Sequence, residues 1–463
     1  MQKADNSENK RNYLRESKVE LWDILGEQSI ASATKEEKDK SKVNTQNLLE
    51  KILERANLNL AYQRVVKNGG SHGVDGMQVN ALLPYLKQNG PDLLQAIREG
   101  KYRPQPVRRV EIPKPDGGIR LLGIPTVLDR MIQQAIHQIL NPLFDKGFSN
   151  HSYGFRAGRN AHQAVKQAQK YQKEGYKVVV DIDLEKFFDR VNHDKLMHLL
   201  SEKIADKSVL KLIRLYLESG IMINGVVTQT EEGTPQGGPL SPLLSNIMLD
   251  KLDKELEQRG HKFCRYADDC NIYVKSSRAG ERVMKSITEW IESRLKLKVN
   301  QTKSAVDYPS RRKFLGFSFY QNKEGIRMRI HSKPLERFKE KVRKITSRSN
   351  GTSIETRITK LNHLLIGWVH YFKIADIKSH CQRLDEWIRR RLRMCYWKDW
   401  KKIKTKYENL KRLGLPEGKS WEYANSRKGH WRIAGSFILN TTITNQFLEK
   451  MGYRTLTVVY YKT

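Results

Sequence analysis

At 463 residues, with 85 Lys and Arg against 51 Asp and Glu and a formal charge of +34, the chain has room for two or three domains and a sizeable core. A surplus of that size points to a polyanionic partner such as nucleic acid, because surfaces that are merely solvated mix their signs more evenly. No run approaches the roughly 18 apolar residues that span a bilayer, and MQKADNSENK lacks the apolar stretch of a secretion signal, so a soluble, cytoplasmic protein is expected. Four cysteines (Cys264, Cys270, Cys381, Cys395) give neither a disulfide framework nor a CxxC zinc pattern and read as reduced, mostly buried thiols.

Residues 1–46 carry nine basic and nine acidic residues. They form a neutral arm in which YLRESKVELWDIL (13–25) suits a short helix and SATKEEKDKSK (32–42) a mobile linker. From Asn47 apolar residues recur at helical spacing (Leu48, Ile52, Leu60, Val65) until Gly69-Gly70 stops the run. A helix-like ALLPYLKQN follows, and Pro91 is expected to open another helix. RRVEIPKPDGGIRLLGIPT (108–126) has the pattern of a hairpin around a Pro/Asp/Gly turn. Lys114 and Arg120 flank that turn, so two cations can converge on one spot; triphosphate capture and a solvated loop tip are both compatible with this. DRMIQQAIHQILNPLF (129–144) is a buried helix by its three- and four-residue steps, and SYGFRAGRNAHQAV (152–165) sets Arg156 and Arg159 near a helix start, where phosphate or template could bind.

YKVVVDIDLEKFFDRVNHDKL (176–196) reads as a buried strand tipped by Asp181 and Asp183, which period two puts on one face. Asn192 suits the cap of the next helix. In EEGTPQGGPLSPLLSNIMLDKLDKEL (231–256), Ser241 fits an N-cap and Pro242 the first helical position, while Thr234 to Gly238 is glycine-rich enough for the backbone to approach a ligand. FCRYADDCNIYV (263–274) places adjacent carboxylates, Asp268 and Asp269, at a tight turn between two β-favouring runs. Charges crowded that way need a cation or hydrogen bonds to offset their repulsion. Two strand-end acid clusters from distant segments suggest one divalent-metal site, the recurring answer for nucleotidyl transfer being two magnesium ions about 3.5–4 Å apart.

An amphipathic helix (282–297) leads to LKVNQTKSAV, where Lys303 could meet phosphate, and KFLGFSFY (313–320) alternates like a strand. Residues 331–463 hold 30 basic and 11 acidic residues and six of the eight tryptophans. Helices are expected over 334–348, 355–374 and 380–406, with Trp368, Phe372 and Trp387 as core. Arg389, Arg390, Arg391 and Arg393, interleaved with Trp397, Trp400, Lys401 and Lys402, read as a surface that grips a nucleic-acid backbone and stacks on bases. Residues 407–463 read as a small separate basic module.

Taken in order, RRVEIPKPDGGIRLLGIPT, SYGFRAGRNAH, DIDLEKFFDRVNHDKL, GTPQGGPLSPLLSNIMLD, RYADD, LKVNQTKS and FLGFSF, followed by GWVHYFK and WIRRRLRMCYWKDWK, resemble a bacterial group II intron-encoded reverse transcriptase/maturase from about Asn47 to about residue 430. The resemblance is strongest to the branch that recognises stem-loop-rich insertion sites. It implies an α/β (α+β) right-hand polymerase: fingers and ferredoxin-like palm over 47–330, an α-helical thumb/maturase region over 331–406 and a small C-terminal DNA-binding module over 407–463. It assigns the metal-binding catalytic carboxylates to Asp183, Asp268 and Asp269. Spacing alone leaves Asp181 and Asp183 open, and the family's ligand lies five residues before an aromatic gate, here Phe188, whose ring would clash with a ribose 2′-hydroxyl. Lys114 and Arg120 match the fingers cations, and Pro235 and Gln236 the loop beside the incoming dNTP.

The implied cofactors are two Mg²⁺ ions, with Mn²⁺ as a substitute. The implied partners are group II intron RNA, an RNA template with a DNA or RNA primer, target DNA and dNTPs, with no membrane. No HNH-like Cys/His module follows, so priming from a nick, a fork or single-stranded target is expected. Two other readings compete: an RNA-binding splicing cofactor without polymerase activity, and a retron-type or defence-associated reverse transcriptase.

Overall fold

The computed structural model describes residues 45–462 apart from 114–116, 224–225, 229–231 and 235–236. The helix expected over 13–25, Lys114, Pro235 and Gln236 therefore lie outside the described residues. The chain forms two compact units. One takes the described residues up to Ala164 together with Val178–Val306; the other takes Val165–Lys177 and Asp307 onward.

In the first unit, helices Leu48–Leu53, Arg55–Asn68 and Val127–Asp145 pack together. The run of 82–98 is one helix, with Pro91 inside it rather than at a new start. Strands β1 (Val107–Pro113) and β2 (Ile119–Ile124) form the expected antiparallel hairpin. β1 also pairs in parallel with β4 (Ile221–Ile223), which turns back into β5 (Val226–Thr228), giving a four-stranded sheet in the order β2-β1-β4-β5.

A second four-stranded sheet carries the acid clusters. Its strands are β3 (Val178–Ile182), β6 (Lys262–Tyr266), β7 (Asp269–Val274) and β8 (Ala305–Asp307), in the order β6-β7-β3-β8. Val178, Val179, Val180 and Ile182 are all buried, as expected of a central strand covered on both faces. Helices Ser241–Gln258 and Ser277–Trp290 pack against this sheet. Leu240, whose carbonyl accepts the first helical N–H groups, takes the cap position expected of Ser241, so Ser241 and Pro242 open the first turn. The amphipathic helix expected over 282–297 runs instead over Ser277–Trp290 and widens into a π turn at Ile291–Leu295.

In the second unit, β9 (Phe317–Asn322) and β10 (Gly325–Ile330) form a hairpin, starting later than 313 because Leu315 and Gly316 turn at positive φ. Helices Ser332–Ile345 and Ile354–Phe372 fall where expected, while the helix expected over 380–406 runs over Lys378–Asp399 and a separate helix, Ile403–Arg412, follows. An aromatic cluster of Phe317, Phe338, Trp368 and Phe372 forms part of the core. Residues 407–462 form short helices that belong to the same compact unit as 307–406. Asp385 ties them in by accepting N–H groups of Leu456 (2.7 Å) and Thr457 (2.9 Å) at the start of the last helix, Leu456–Lys462. All four cysteines are buried and unpaired. No described helix is long and apolar enough to cross a membrane.

Candidate active site

β3 and β7 run antiparallel with Asp181 opposite Asn271 and Ile182 opposite Cys270. Continuing that register by one residue sets Asp183 against Asp269, and paired residues project to the same face. Tyr266 pairs with Asp269 across the β6–β7 turn, so Asp268 occupies the two-residue turn beside them. Asp268 is exposed, whereas Asp183 and Asp269 are half-buried. Asn271 donates to Asp269 Oδ1 at 3.3 Å from two residues along the same face. Asp183 thus follows the end of β3 beside the start of β7 at Asp269, with Asp268 in the turn before it. Among the described residues no group of three or more His, Cys, Asp or Glu closes a ready-made metal cage. An all-oxygen carboxylate edge open to solvent nonetheless suits magnesium, which takes one or two carboxylates and fills its remaining positions with water and substrate phosphate.

The backbone at Asp183 and the turn at Asp268 are held by bonds that the sequence pattern does not reveal. The Asp183 N–H donates to Ser304 Oγ (3.0 Å) and its carbonyl accepts from Asn300 N–H (2.8 Å), while Glu185 N–H reaches Lys298 O at 2.8 Å. The LKVNQTKS stretch therefore stitches down the strand end that carries Asp183. Lys303 itself is exposed.

The Asp268 turn rests on Arg265. Its guanidinium and the Asp253 carboxylate are fully buried, and it also donates to Asn246 Oδ1 (3.0 Å), Ala267 O (2.9 Å) and Ser152 Oγ (2.8 Å). Burial pushes the Asp253 carboxyl upward and the Arg265 charge opposes that shift. Ala267 adopts φ of 58°, a conformation that costs a non-glycine residue about 1–3 kcal/mol and persists only where surroundings enforce it. Gly154 is part of that enforcement: a Cβ there would lie 2.3 Å from Ala267 N.

Around this edge, Phe188 is half-buried in the short turn Phe187–Asp189, its ring edge-on to Phe187 at 5.2 Å. Asn192 caps the following helix as expected, its Oδ1 accepting Lys195 N–H at 2.9 Å. Arg120 is exposed on β2. Arg156 is committed to the fold, bonding Asp145 Oδ1 (2.7 Å) and the carbonyls of Ser149 (2.6 Å) and Ser152 (3.1 Å). Arg159 bonds Asn150 and lies over the Tyr153 ring.

In the second unit the arginine-rich helix divides its labour. Arg393 is buried, donating to Ile443 O (2.8 Å) and Asn445 Oδ1 (3.3 Å), and burial, with Arg389 adding like charge, pulls its pKa down to about 10. Arg391 bonds Thr346 and lies over Trp387, which is half-buried rather than core. Arg390 stacks on Trp431 at 4.1 Å and bonds its carbonyl. Trp397 and Trp400 are buried against each other, so neither offers a face to a base. Trp397 falls on the inward stripe of the helix and Trp400 packs on it from just past the helix end, neither of which composition reveals. Arg389, Arg390 and Arg393 line a cavity of about 730 Å³, and Lys401 and Lys402 are exposed.

The chain matches known families and proteins along most of its length. Residues 112–319 match the model of the reverse transcriptase (RNA-dependent DNA polymerase) family, whose members use divalent metal ions, and residues 335–414 match the group II intron maturase-specific domain. The chain is 31% identical over 325 residues to Protein YkfC of Escherichia coli K12, covering 62% of this chain and 85% of that protein. It is 37% identical over 207 residues to the group II intron-encoded protein LtrA of Lactococcus lactis, covering 44% of this chain but 34% of LtrA. The retron Ec86 reverse transcriptase of Escherichia coli is 30% identical over 222 residues, covering 46% of this chain and 60% of that protein. With both a polymerase and a maturase-specific match in one chain, the protein belongs to the group II intron-encoded reverse transcriptase/maturase family of RNA-directed DNA polymerases.

Proposed function

We propose that the chain adds dNMPs to a primer 3′-hydroxyl on an RNA template at the edge bearing Asp183, Asp268 and Asp269, and helps its intron RNA splice and move through its basic helical region. The observation that supports this reading is the β3–β7 pairing up to Ile182–Cys270, which, continued by one residue, would set Asp183 beside Asp269, with Asp268 at the adjoining turn. Two magnesium ions bound by these carboxylates would stabilise charge on the attacking 3′-oxygen and on the leaving phosphates. The chain's own contribution is to present the carboxylates on clamped backbone. Arg120 and Lys114 would neutralise the triphosphate, Pro235 and Gln236 would flank the nucleotide, and Phe188 would exclude a ribose 2′-hydroxyl. Arg159, Lys303, Arg389, Arg390, Lys401 and Lys402 are the cations we assign to nucleic-acid backbones, drawn from template, primer, intron RNA or target DNA. Within the first unit Arg156, and within the second Arg391 and Arg393, would brace the neighbouring cations through the bonds described above.

Two assays test the reading. The purified chain should incorporate dNTPs on a primed RNA template in a magnesium-dependent manner; RNA binding without incorporation would leave only a splicing cofactor. Phe188→Ala should raise ribonucleotide incorporation relative to deoxyribonucleotide by at least about tenfold, the order expected when a shape filter against one hydroxyl is removed. Unchanged sugar selectivity would dismiss the gate. The maturase-specific match at 335–414 favours an intron partner over a retron one.

A further inference from the structure

We propose that Gly233 and Thr234 form a backbone strap that sets the position of the Phe188 ring and so tunes discrimination between deoxyribo- and ribonucleotides; this rests on Phe188 being the sugar gate. The Thr234 N–H donates to the carbonyl of Phe188 itself at 2.6 Å, and the Gly233 N–H to Val191 O at 2.8 Å. His193 Nε2 donates to Gly233 O at 2.6 Å, and Asn192 forms a β-bridge with Glu232. The segment 232–234 is thus bound along the length of the turn that carries the gate.

Two further features bear on the strap. Gly233 has φ of +100°, and a Cβ there would lie 3.0 Å from Phe188 O and 3.1 Å from Asp189 O, both backbone atoms with no flexible end to move aside. Only glycine allows this approach. The ring also meets buried Phe187 edge-on and packs against the hydrophobic core, so a displaced strap shifts Phe188 against those contacts. Beside the ring is a cavity of about 200 Å³ lined by Phe188, Thr234, Arg109, Leu121 and Gly123. The buried Thr234 hydroxyl has no hydrogen-bond partner among the described residues, which suits a cavity that receives a polar group of the nucleotide or template. Gly233 and Thr234 are positioning residues: they act on the substrate through Phe188.

The test compares Gly233→Ala, His193→Ala and Phe188→Ala in the full chain by single-turnover incorporation of dATP and ATP on a primed RNA template. The strap predicts that all three lower the preference for dATP, Gly233→Ala by at least about tenfold, with ATP incorporation rising. Burst amplitude reports the folded fraction, so a variant that merely folds poorly loses amplitude and keeps its preference. If Phe188→Ala relaxes selectivity while both strap variants keep the wild-type preference, the strap is overturned and the gate stands. If Phe188→Ala leaves selectivity unchanged, the gate falls and the strap falls with it. Should Gly233→Ala yield no soluble protein, His193→Ala decides the matter alone, since it loosens the strap without adding backbone strain.

Discussion

Asp268→Asn is expected to abolish cDNA synthesis while leaving RNA binding largely intact. The substitution keeps size and removes one negative charge from a turn position that is already exposed, so the fold has little reason to change. The chemistry does. Losing a carboxylate that holds a catalytic ion removes several kcal/mol of transition-state stabilisation, which amounts to about a thousandfold or more in rate. RNA binding is expected to draw on basic side chains elsewhere, with 30 basic against 11 acidic residues over 331–463. Primer extension and a filter-binding isotherm on the same preparation separate the two effects. Extension at the wild-type rate by the purified variant would remove Asp268 from the metal site.

The largest effect on stability is expected at Arg265. Arg265→Met strands the Asp253 carboxylate in a fully buried site, and breaking such a pair from one side costs about 3–5 kcal/mol. The double variant Asp253→Leu/Arg265→Met should recover much of that loss, because desolvating two charges offsets most of what their attraction returns. Urea unfolding of the four proteins in the cycle measures the coupling. The pH dependence has a definite sign. Burial holds the Asp253 carboxyl above its ordinary value, and without Arg265 the opposing influence is gone. Below that raised pKa the folded single variant binds a proton that the unfolded chain has released. Its stability therefore rises as pH falls from the raised pKa toward the ordinary carboxylate value and is lost as pH climbs back through the raised pKa. A single variant as stable as wild type at neutral pH would refute the account. The same substitution frees the Ala267 carbonyl, so whatever folded protein remains should also extend primers more slowly.

What could be read in advance follows from periodicity. The acid pairs Asp181/Asp183 and Asp268/Asp269 were legible as strand-end clusters because both follow apolar runs, but period two puts Asp181 and Asp183 on one face and only the family resemblance chose between them. The β1–β2 hairpin was legible from its turn residues. Arg265 was not: one residue before Tyr266 in a chain rich in arginine, nothing in its neighbourhood marks it as fully buried. Ser304 and Gly233 were hidden for another reason, since both act through backbone partners 121 and about 45 residues away. The arginines of 389–393 show the converse. Their charge was plain, but which of them face inward depends on helix register, and Arg393 and Arg391 spend their donors on carbonyls and hydroxyls of the fold. Pro91 was misread because a proline that ordinarily opens a helix can be carried inside one when the surrounding face is packed; Leu86, Leu93, Leu94 and Ile97 are all buried on that helix.

The second unit is not contiguous in sequence. Val165–Lys177, inserted between the Arg159 loop and β3, belongs with Asp307 onward, and Gln169 donates to Ile326 O at 2.7 Å within it. The polypeptide passes between the units three times, so no single cut yields two whole pieces. Any fragment beginning near 307 would lack a helix that its own hairpin leans on, and gene-level exchange of the maturase half between relatives would have to bring a short segment from the middle of the polymerase half with it.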